Sequence, residues 1–317
     1  MCGGMCMCTA VWYGNRFFGR TFDWMVSYGE RVVVAPRNFV FEFRHLEKME
    51  SHYAIMGMGV VADGYPLFYE GVNEAGLGMA GLNFPGWAMY HKVDDKKDNV
   101  VPFEFIPYIL STCKSVAEAR IKLAKINILD EGFNDEYGIS PLHWIIADDK
   151  ECITVESVRD GLKVFENTIG VLTNSPGFEM QIFNLNNYMS LKSSMPADSF
   201  GGELKLKPYS YGMGALGLPG DWSSMSRFVR AAFVRCNSTE EENNDSKVNQ
   251  FFHILDSVSQ IRGCSKDDDG QNEITIYSCC YDFKKRVYYY TTYEDRKQSY
   301  ICFDEIELNS KQLILGI

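Results

Sequence analysis

Residues 8–23 constrain the fold more than any other stretch of this chain. Cys8-Thr9-Ala10-Val11-Trp12-Tyr13 is a β-prone run, Gly14-Asn15 is a turn signal, and Arg16-Phe17-Phe18-Gly19-Arg20-Thr21-Phe22-Asp23 is a second such run. Together they read as a tight hairpin. Its open end gathers a thiol (Cys8), a guanidinium (Arg20) and a carboxylate (Asp23) on two neighbouring strands. A Cys8 with a free amine would supply both nucleophile and base from one residue. Met1-Cys2-Gly3-Gly4-Met5-Cys6-Met7 precedes it. The expectation is that translation starts at Met7 or that the leader, residues 1–7, is removed, and that residues 8–317 form one domain.

The histidines (His45, His52, His91, His143 and His253) are dispersed, and none is an obvious partner for a catalytic cysteine. That favours the α-amine as base, since its intrinsic pKa of about 7.7–8.0 leaves a useful neutral fraction near pH 7. A nearby Arg20 would favour the thiolate. Taken alone, Arg20 and Asp23 read as a structural ion pair; with Cys8 they read as chemistry. Cys2, Cys6 and Cys8 form C-x3-C-x-C, half of a metal site, but no second ligand cluster follows. Gly212-Met213-Gly214-Ala215-Leu216-Gly217 matches a dinucleotide-binding string but runs into Leu218-Pro219-Gly220, not a helix. No cofactor and no metal are expected.

A net charge of −11 argues against nucleic acid, whose binding rests on Lys and Arg contacts to phosphate. No run of about 18 apolar residues suggests a membrane span. The N-terminus lacks the basic and apolar regions of a signal peptide. Ten cysteines in a chain this long do not form a disulfide framework; Cys113, Cys152, Cys236, Cys264, Cys279, Cys280 and Cys302 are scattered, often among apolar neighbours, which reads as buried free thiols in a reducing cytoplasm.

Strand-like runs occupy 31–35, 39–43, 52–56, 67–71 and the small-residue stretch Gly76–Asn83, where a neighbouring backbone or ligand should come close. The period changes at 102–110, where a helix starts, and at Ser115, which reads as the N-cap of a second helix with Glu118 at the capping-box position. Strands follow at 142–147, 152–156, 162–165 and 171–173, helices at about 179–193, 223–236 and 247–260, and strands at 274–283, 287–293 and 299–303. The run Glu240–Asp245 reads as a solvated loop. Blocks of strands and blocks of helices imply an α+β fold of layered antiparallel sheets with helices outside.

Beyond the hairpin, several longer motifs occur in order: Met7-Cys8-Thr9, Phe18-Gly19-Arg20-Thr21-Phe22-Asp23, Pro36-Arg37-Asn38-Phe39, Asn73-Glu74-Ala75-Gly76-Leu77-Gly78, Ala80-Gly81-Leu82-Asn83-Phe84-Pro85, Leu142-His143-Trp144, Gly170-Val171-Leu172-Thr173-Asn174-Ser175-Pro176 and Gly217–Phe228. Jointly they resemble the choloylglycine hydrolase family of bile salt hydrolases and penicillin V acylases, from Cys8 almost to the C-terminus. The resemblance implies an N-terminal-nucleophile hydrolase fold, a four-layer αββα sandwich of two antiparallel sheets. It also implies a homotetramer without cofactors, in which residues 188–214 reach a neighbouring subunit.

Carried over by motif, Cys8 is the nucleophile, Arg20 lies beside its thiol and Asp23 holds its α-amine. Asn174 offers its side-chain amide to the oxyanion, Asn83 its backbone N–H, and Arg227 completes the charged cluster. Asn at position 83 resembles the bile salt hydrolases more than the penicillin acylases, several of which carry Tyr there. Trp24, Met25 and Phe68 are candidates for contact with an apolar sterol body. The expected activity is hydrolysis of glycine- or taurine-conjugated bile salts through a cysteine thioester. The alternatives are a penicillin V or other N-acyl amidohydrolase, and a non-catalytic thiol-, metal- or sterol-binding protein.

Overall fold

The computed structural model describes residues 7–239 and 244–316. Among the described residues, two antiparallel sheets carry the architecture. The six-stranded sheet runs β13 (Val171–Leu172), β1 (Thr9–Tyr13), β2 (Phe17–Trp24), β14 (Ile274–Asp282), β15 (Val287–Thr292), β16 (Ser299–Cys302). The nine-stranded sheet runs β12 (Gly161–Glu166), β11 (Cys152–Val158), β10 (Leu142–Ala147), β7 (Gly78–Asn83), β6 (Glu70–Asn73), β4 (Ile55–Ala62), β3 (Arg31–Ala35), β17 (Ile314–Leu315), with β5 (Tyr65–Phe68) also on β4. A short parallel pair, β8 (Asp98–Val100) and β9 (Ile126–Ile128), stands apart.

Strand alternation explains the layering. Along β3, Val32 and Val34 enter the core between the sheets, while Val33 and Ala35 face the other way. That second core packs on helices α1 (Pro102–Thr112) and α2 (Val116–Leu123) through Phe105, Ile109, Val116 and Ala119. In the hairpin, Ala10, Trp12 and Phe18 point between the sheets. Val11, Tyr13 and Phe17 point out onto α5 (Asn244–Asp256), against Phe251 and Leu255. Helix α4 (Ser224–Asn237) lies against β1 and β13. The chain is a four-layer αββα sandwich with the hairpin in its middle.

Several expectations hold in detail. The hairpin pairs Tyr13 with Phe17, with Gly14 and Asn15 at positive φ. Arg16 belongs to the turn rather than to the strand. The Ser115 hydroxyl accepts the Glu118 N–H at 3.3 Å, capping α2. In the small-residue strand the close neighbours are rings. A Cβ on Gly78 would meet Phe18 from the facing sheet at 2.6 Å, and one on Gly81 would meet Trp144 at 3.2 Å.

Others are corrected. Residues 39–43 are extended but form only a bridge, Phe41 to Met49. Their alternation reflects stacking of Phe41 on Phe43 and an edge contact with Phe39, without a strand ladder. The helix expected over about 179–193 is a helix α3 (Phe178–Asn184) followed by a single 3₁₀ turn at Leu185–Tyr188. There the Asn186 amide donates to the Phe183 carbonyl and the Asn187 amide to Asn184 Oδ1, local bonds that compete with continued helix. The first residues of the acidic run, 240–243, lie outside the described residues, and α5 already begins at Asn244.

Candidate active site

Cys8 is buried immediately before β1. Hairpin register sets Thr9 opposite Thr21 and Ala10 opposite Arg20, which carries Cys8 alongside the end of β2. There the Asp23 N–H approaches the Cys8 Sγ at 3.5 Å. Cys2 and Cys6, the other members of the C-x3-C-x-C string, lie outside the described residues.

Asp23 is fully buried and accepts hydroxyl protons from Thr21 at 2.9 Å and Thr275 at 2.6 Å. A bulge in β14 aims Thr275 there. The register with β2 jumps from Thr275 opposite Asp23 to Tyr277 opposite Phe22, leaving Ile276 extra. Burial pushes the Asp23 carboxyl well above its ordinary pKa and the nearby Cys8 thiol adds to this, while Arg227 and the Thr275 bond oppose it.

Arg227 enters from the first turn of α4 and is completely buried. One of its terminal nitrogens donates to the Cys8 carbonyl at 2.7 Å and to Thr9 Oγ1 at 2.9 Å, the other to Asn174 Oδ1 at 2.8 Å. Asn174 Oδ1 also accepts the Cys8 N–H at 2.8 Å. Two donors on Oδ1 fix the amide's orientation, so its NH₂ faces the other way. That group donates to the Asn83 carbonyl at 2.9 Å. An amide held so rigidly can act as a fixed hydrogen-bond donor in the site.

Arg20 ties the hairpin to the facing sheet. Its guanidinium donates to the Gly81 carbonyl at 2.6 Å and the Tyr69 carbonyl at 3.2 Å and lies over the Phe22 ring. Buried Glu70 supplies opposite charge nearby, itself hydrogen-bonded by the Met58 N–H and the hydroxyls of Tyr277 and Tyr288. The structure thus links Cys8, Asp23, Asn174, Arg227 and the half-buried Asn83 through one set of contacts, while Arg20, opposite Ala10 in the hairpin, reaches the carbonyls of the facing sheet. Trp24 and Met25 stand at the rim of the site, partly exposed, with the Trp24 indole N–H on the Tyr28 hydroxyl at 2.9 Å. Phe68 does not join them. It is buried in the helix-side core with Phe105 and Ile109, on the far side of the nine-stranded sheet. Its run of apolar neighbours does not reveal which face a residue takes.

One residue of the site carries no sequence signal. Glu273, just before β14, accepts the Met7 N–H at 2.7 Å. Burial, with a further push from Cys8 and against the Met7 bond, raises its pKa from the ordinary 4.5 to about 8. The folded chain therefore holds a proton that the unfolded chain has lost between these two values. Stability falls as pH rises through that window and levels off above it. Glu273→Gln removes this slope. For chains that both carry Met7, the variant's melting temperature should match the parent's below about pH 4.5, exceed it increasingly up to about pH 8 and keep a constant lead above that; a difference that does not change across this window would contradict the assignment.

The family model described as linear amide C-N hydrolases, choloylglycine hydrolase family, matches residues 8–316. The chain belongs to the choloylglycine hydrolase family. Its match begins at Cys8, the residue on which the buried cluster converges. A bile salt hydrolase/transferase of Lactiplantibacillus plantarum is 47% identical over 310 residues, covering 97% of this chain and 96% of that protein. The bile salt hydrolase/transferase of Clostridium perfringens is 35% identical, covering 99% and 95%. A crystal structure of a variant conjugated bile acid hydrolase from Clostridium perfringens superposes with a TM-score of 0.90 at 34% identity, covering 98% of this chain and 96% of that one. Penicillin V acylase from Agrobacterium tumefaciens shares the fold, with a TM-score of 0.75 at 22% identity over 96% of this chain and 90% of that one. Family members are amide C–N hydrolases, and the two-sheet sandwich is the N-terminal-nucleophile fold.

Proposed function

We propose that this protein hydrolyses the amide bond of glycine- or taurine-conjugated bile salts, with Cys8 as an N-terminal nucleophile. The observation that carries the mechanism is Asn174, whose Oδ1 is locked by the Cys8 N–H and by Arg227 while its NH₂ faces Asn83. The bile salt substrate is supported by the bile salt hydrolase/transferases among the relatives.

In this reading the Cys8 α-amine takes the thiol proton and the sulfur attacks the substrate carbonyl carbon. Negative charge collects on the carbonyl oxygen, where an Asn174 side-chain N–H and the Asn83 backbone N–H stabilise it. The C–N bond breaks, and glycine or taurine leaves with the proton from the α-ammonium. The acyl group remains on sulfur as a thioester. A water then attacks it, giving its proton to the amine, and the free bile acid departs as the thiol is restored. Asp23 and Asn174 Oδ1 hold the α-amine, and Arg20 and Arg227 fix the strands that carry it.

An apolar rim suits the sterol body. Val26 and Tyr28 on the loop after β2, Val61 at the end of β4 and Ile139 in the loop around 130–140 are exposed large side chains. The turn after β4 is joined to that last loop by the Asn134 amide on Asp63 at 3.2 Å. The free cysteines of the described residues suit a reducing cytoplasm. No helix among the described residues is long and apolar enough to cross a membrane.

A homotetramer is the proposed assembly, supported by the end of α3 and the segment after it. Phe183, Met189, Phe200, Tyr209 and Tyr211 are at least 75% exposed, an apolar display that neighbouring copies in a homotetramer would cover. Light scattering should return a tetramer for the parent chain and smaller species for Phe200→Asp combined with Tyr211→Asp. A parent chain that runs as a monomer would overturn this assembly.

The activity is tested by offering glycocholate, taurocholate and penicillin V in parallel under reducing conditions. Release of glycine or taurine well above phenoxyacetyl cleavage is the expected result. Cleavage of penicillin V alone would assign the protein to the acylase branch of its family.

A further inference from the structure

His143 is completely buried near the start of β10, at the end of the β10–β11 ladder and directly opposite Glu156. It touches none of the groups given a role above, yet its bonds converge on the segment that presents Asn174. Its Nε2 lies 2.7 Å from the Thr173 carbonyl, the residue before Asn174. A carbonyl only accepts, so Nε2 carries the proton. Its Nδ1 lies 3.3 Å from Glu156 Oε1. That same carboxylate oxygen accepts the Phe178 N–H at 2.8 Å, at the start of α3. The ring is stacked face-on against Phe84, one residue after Asn83, at 4.2 Å and 8°.

The imidazole–carboxylate pair therefore spans residues 173–178 from both ends, one bond before Asn174 and one after it. Gly177 closes the turn against Glu156, because a Cβ there would come within 3.3 Å of the Glu156 carboxylate. Across the turn, the Ser224 hydroxyl accepts the Asn174 N–H at 3.0 Å, and the Gln181 amide donates to the Asn174 carbonyl at 3.3 Å.

We infer that His143, braced by Glu156, is a positioning residue for the oxyanion donor Asn174. The inference rests on the reading of Asn174 as that donor. Burying a His–Glu pair is costly, and hydrophobic residues of the same size would fill the space between strands as well. What they would not supply is a directed bond to the Thr173 carbonyl. Freed of it, the turn would shift by a fraction of an ångström, and small misplacements of reacting groups are expensive in rate.

The test separates acylation of Cys8, which needs an oxyanion donor, from alkylation, which does not. The purified chain is treated with p-nitrophenyl acetate to measure p-nitrophenol release, and with iodoacetamide to measure loss of the Cys8 thiol. His143→Leu should cut the acylation rate by about 100-fold and leave alkylation at the parent rate. His143→Gln, whose amide can still donate to the Thr173 carbonyl, should recover acylation to within a few-fold of the parent. Glu156→Gln keeps an acceptor for the Phe178 N–H while removing the ring's charged brace, and should cost about tenfold in acylation alone. Should His143→Leu fail to fold, the Glu156→Gln pair of rates decides the matter.

Acylation at the parent rate in the variants, or parallel loss of acylation and alkylation, would overturn the inference. A parent chain that is acylated by the ester but releases no amine from conjugated bile salts would overturn the proposed substrate and leave the positioning role standing.

Discussion

Replacing Cys8 with alanine should lower turnover of conjugated bile salts by about 10⁴–10⁶-fold, because the proposed acyl intermediate forms on its thiol. The fold should survive. Cys8 is small, and its place is set by backbone bonds that alanine retains: its N–H on Asn174 and its carbonyl on Arg227. Melting temperature and oligomeric state should therefore stay close to the parent's while amine release vanishes. Serine at the same position keeps the proton route but offers a weaker nucleophile, so its rate should fall between the two. Alanine turnover within a factor of ten of the parent would remove Cys8 from the mechanism.

Asn174→Ala should produce the second-largest loss, about 10²–10³-fold in kcat with KM nearly unchanged, the usual size for deleting one oxyanion donor. The substitution has a second consequence that can be read separately. Asn174 Oδ1 is the common acceptor for the Cys8 N–H and for Arg227, so alanine leaves a buried cation and a buried donor without that oxygen. A loss of about 1–3 kcal/mol in stability should accompany the loss in rate. Steady-state kinetics at 25 °C together with a denaturant midpoint measure both. A variant with raised KM and unchanged kcat would mean that Asn174 binds substrate and does not stabilise its transition state.

The legible parts of this chain are those where local pattern and tertiary role coincide. The continuous apolar run Val32–Ala35 announces a strand buried on both faces, and the structure divides those residues between two cores as a two-residue period requires. The Gly14-Asn15 turn announces the hairpin and so places Cys8 near Arg20 and Asp23. Arg227 and Asn174 are legible only through family motifs, since nothing in a helix's first turn or an Asn-Ser-Pro turn reveals that they will meet Cys8, 219 and 166 residues away respectively.

The illegible parts depend on which face a residue takes or on a partner far along the chain. Phe68 looks like any aromatic near a cleft until the sheet turns it toward α1. Glu273, just before β14, and Glu156, within β11, sit in ordinary strand sequence, and what singles them out is a distant partner, the Met7 N–H for one and His143 for the other. The 39–43 segment has the alternation of a strand and lacks a ladder, because alternation reports side-chain burial and not hydrogen-bond pairing.

The central claim is that one residue, Cys8, provides thiol and amine together. Its most direct test is the mass of the N-terminal tryptic peptide from a preparation that is releasing glycine or taurine. The account predicts a peptide that begins at Cys8 and ends at Arg16, with a free α-amine. A fully active preparation whose peptide still carries Met7 would contradict it, because the base would then be an amide.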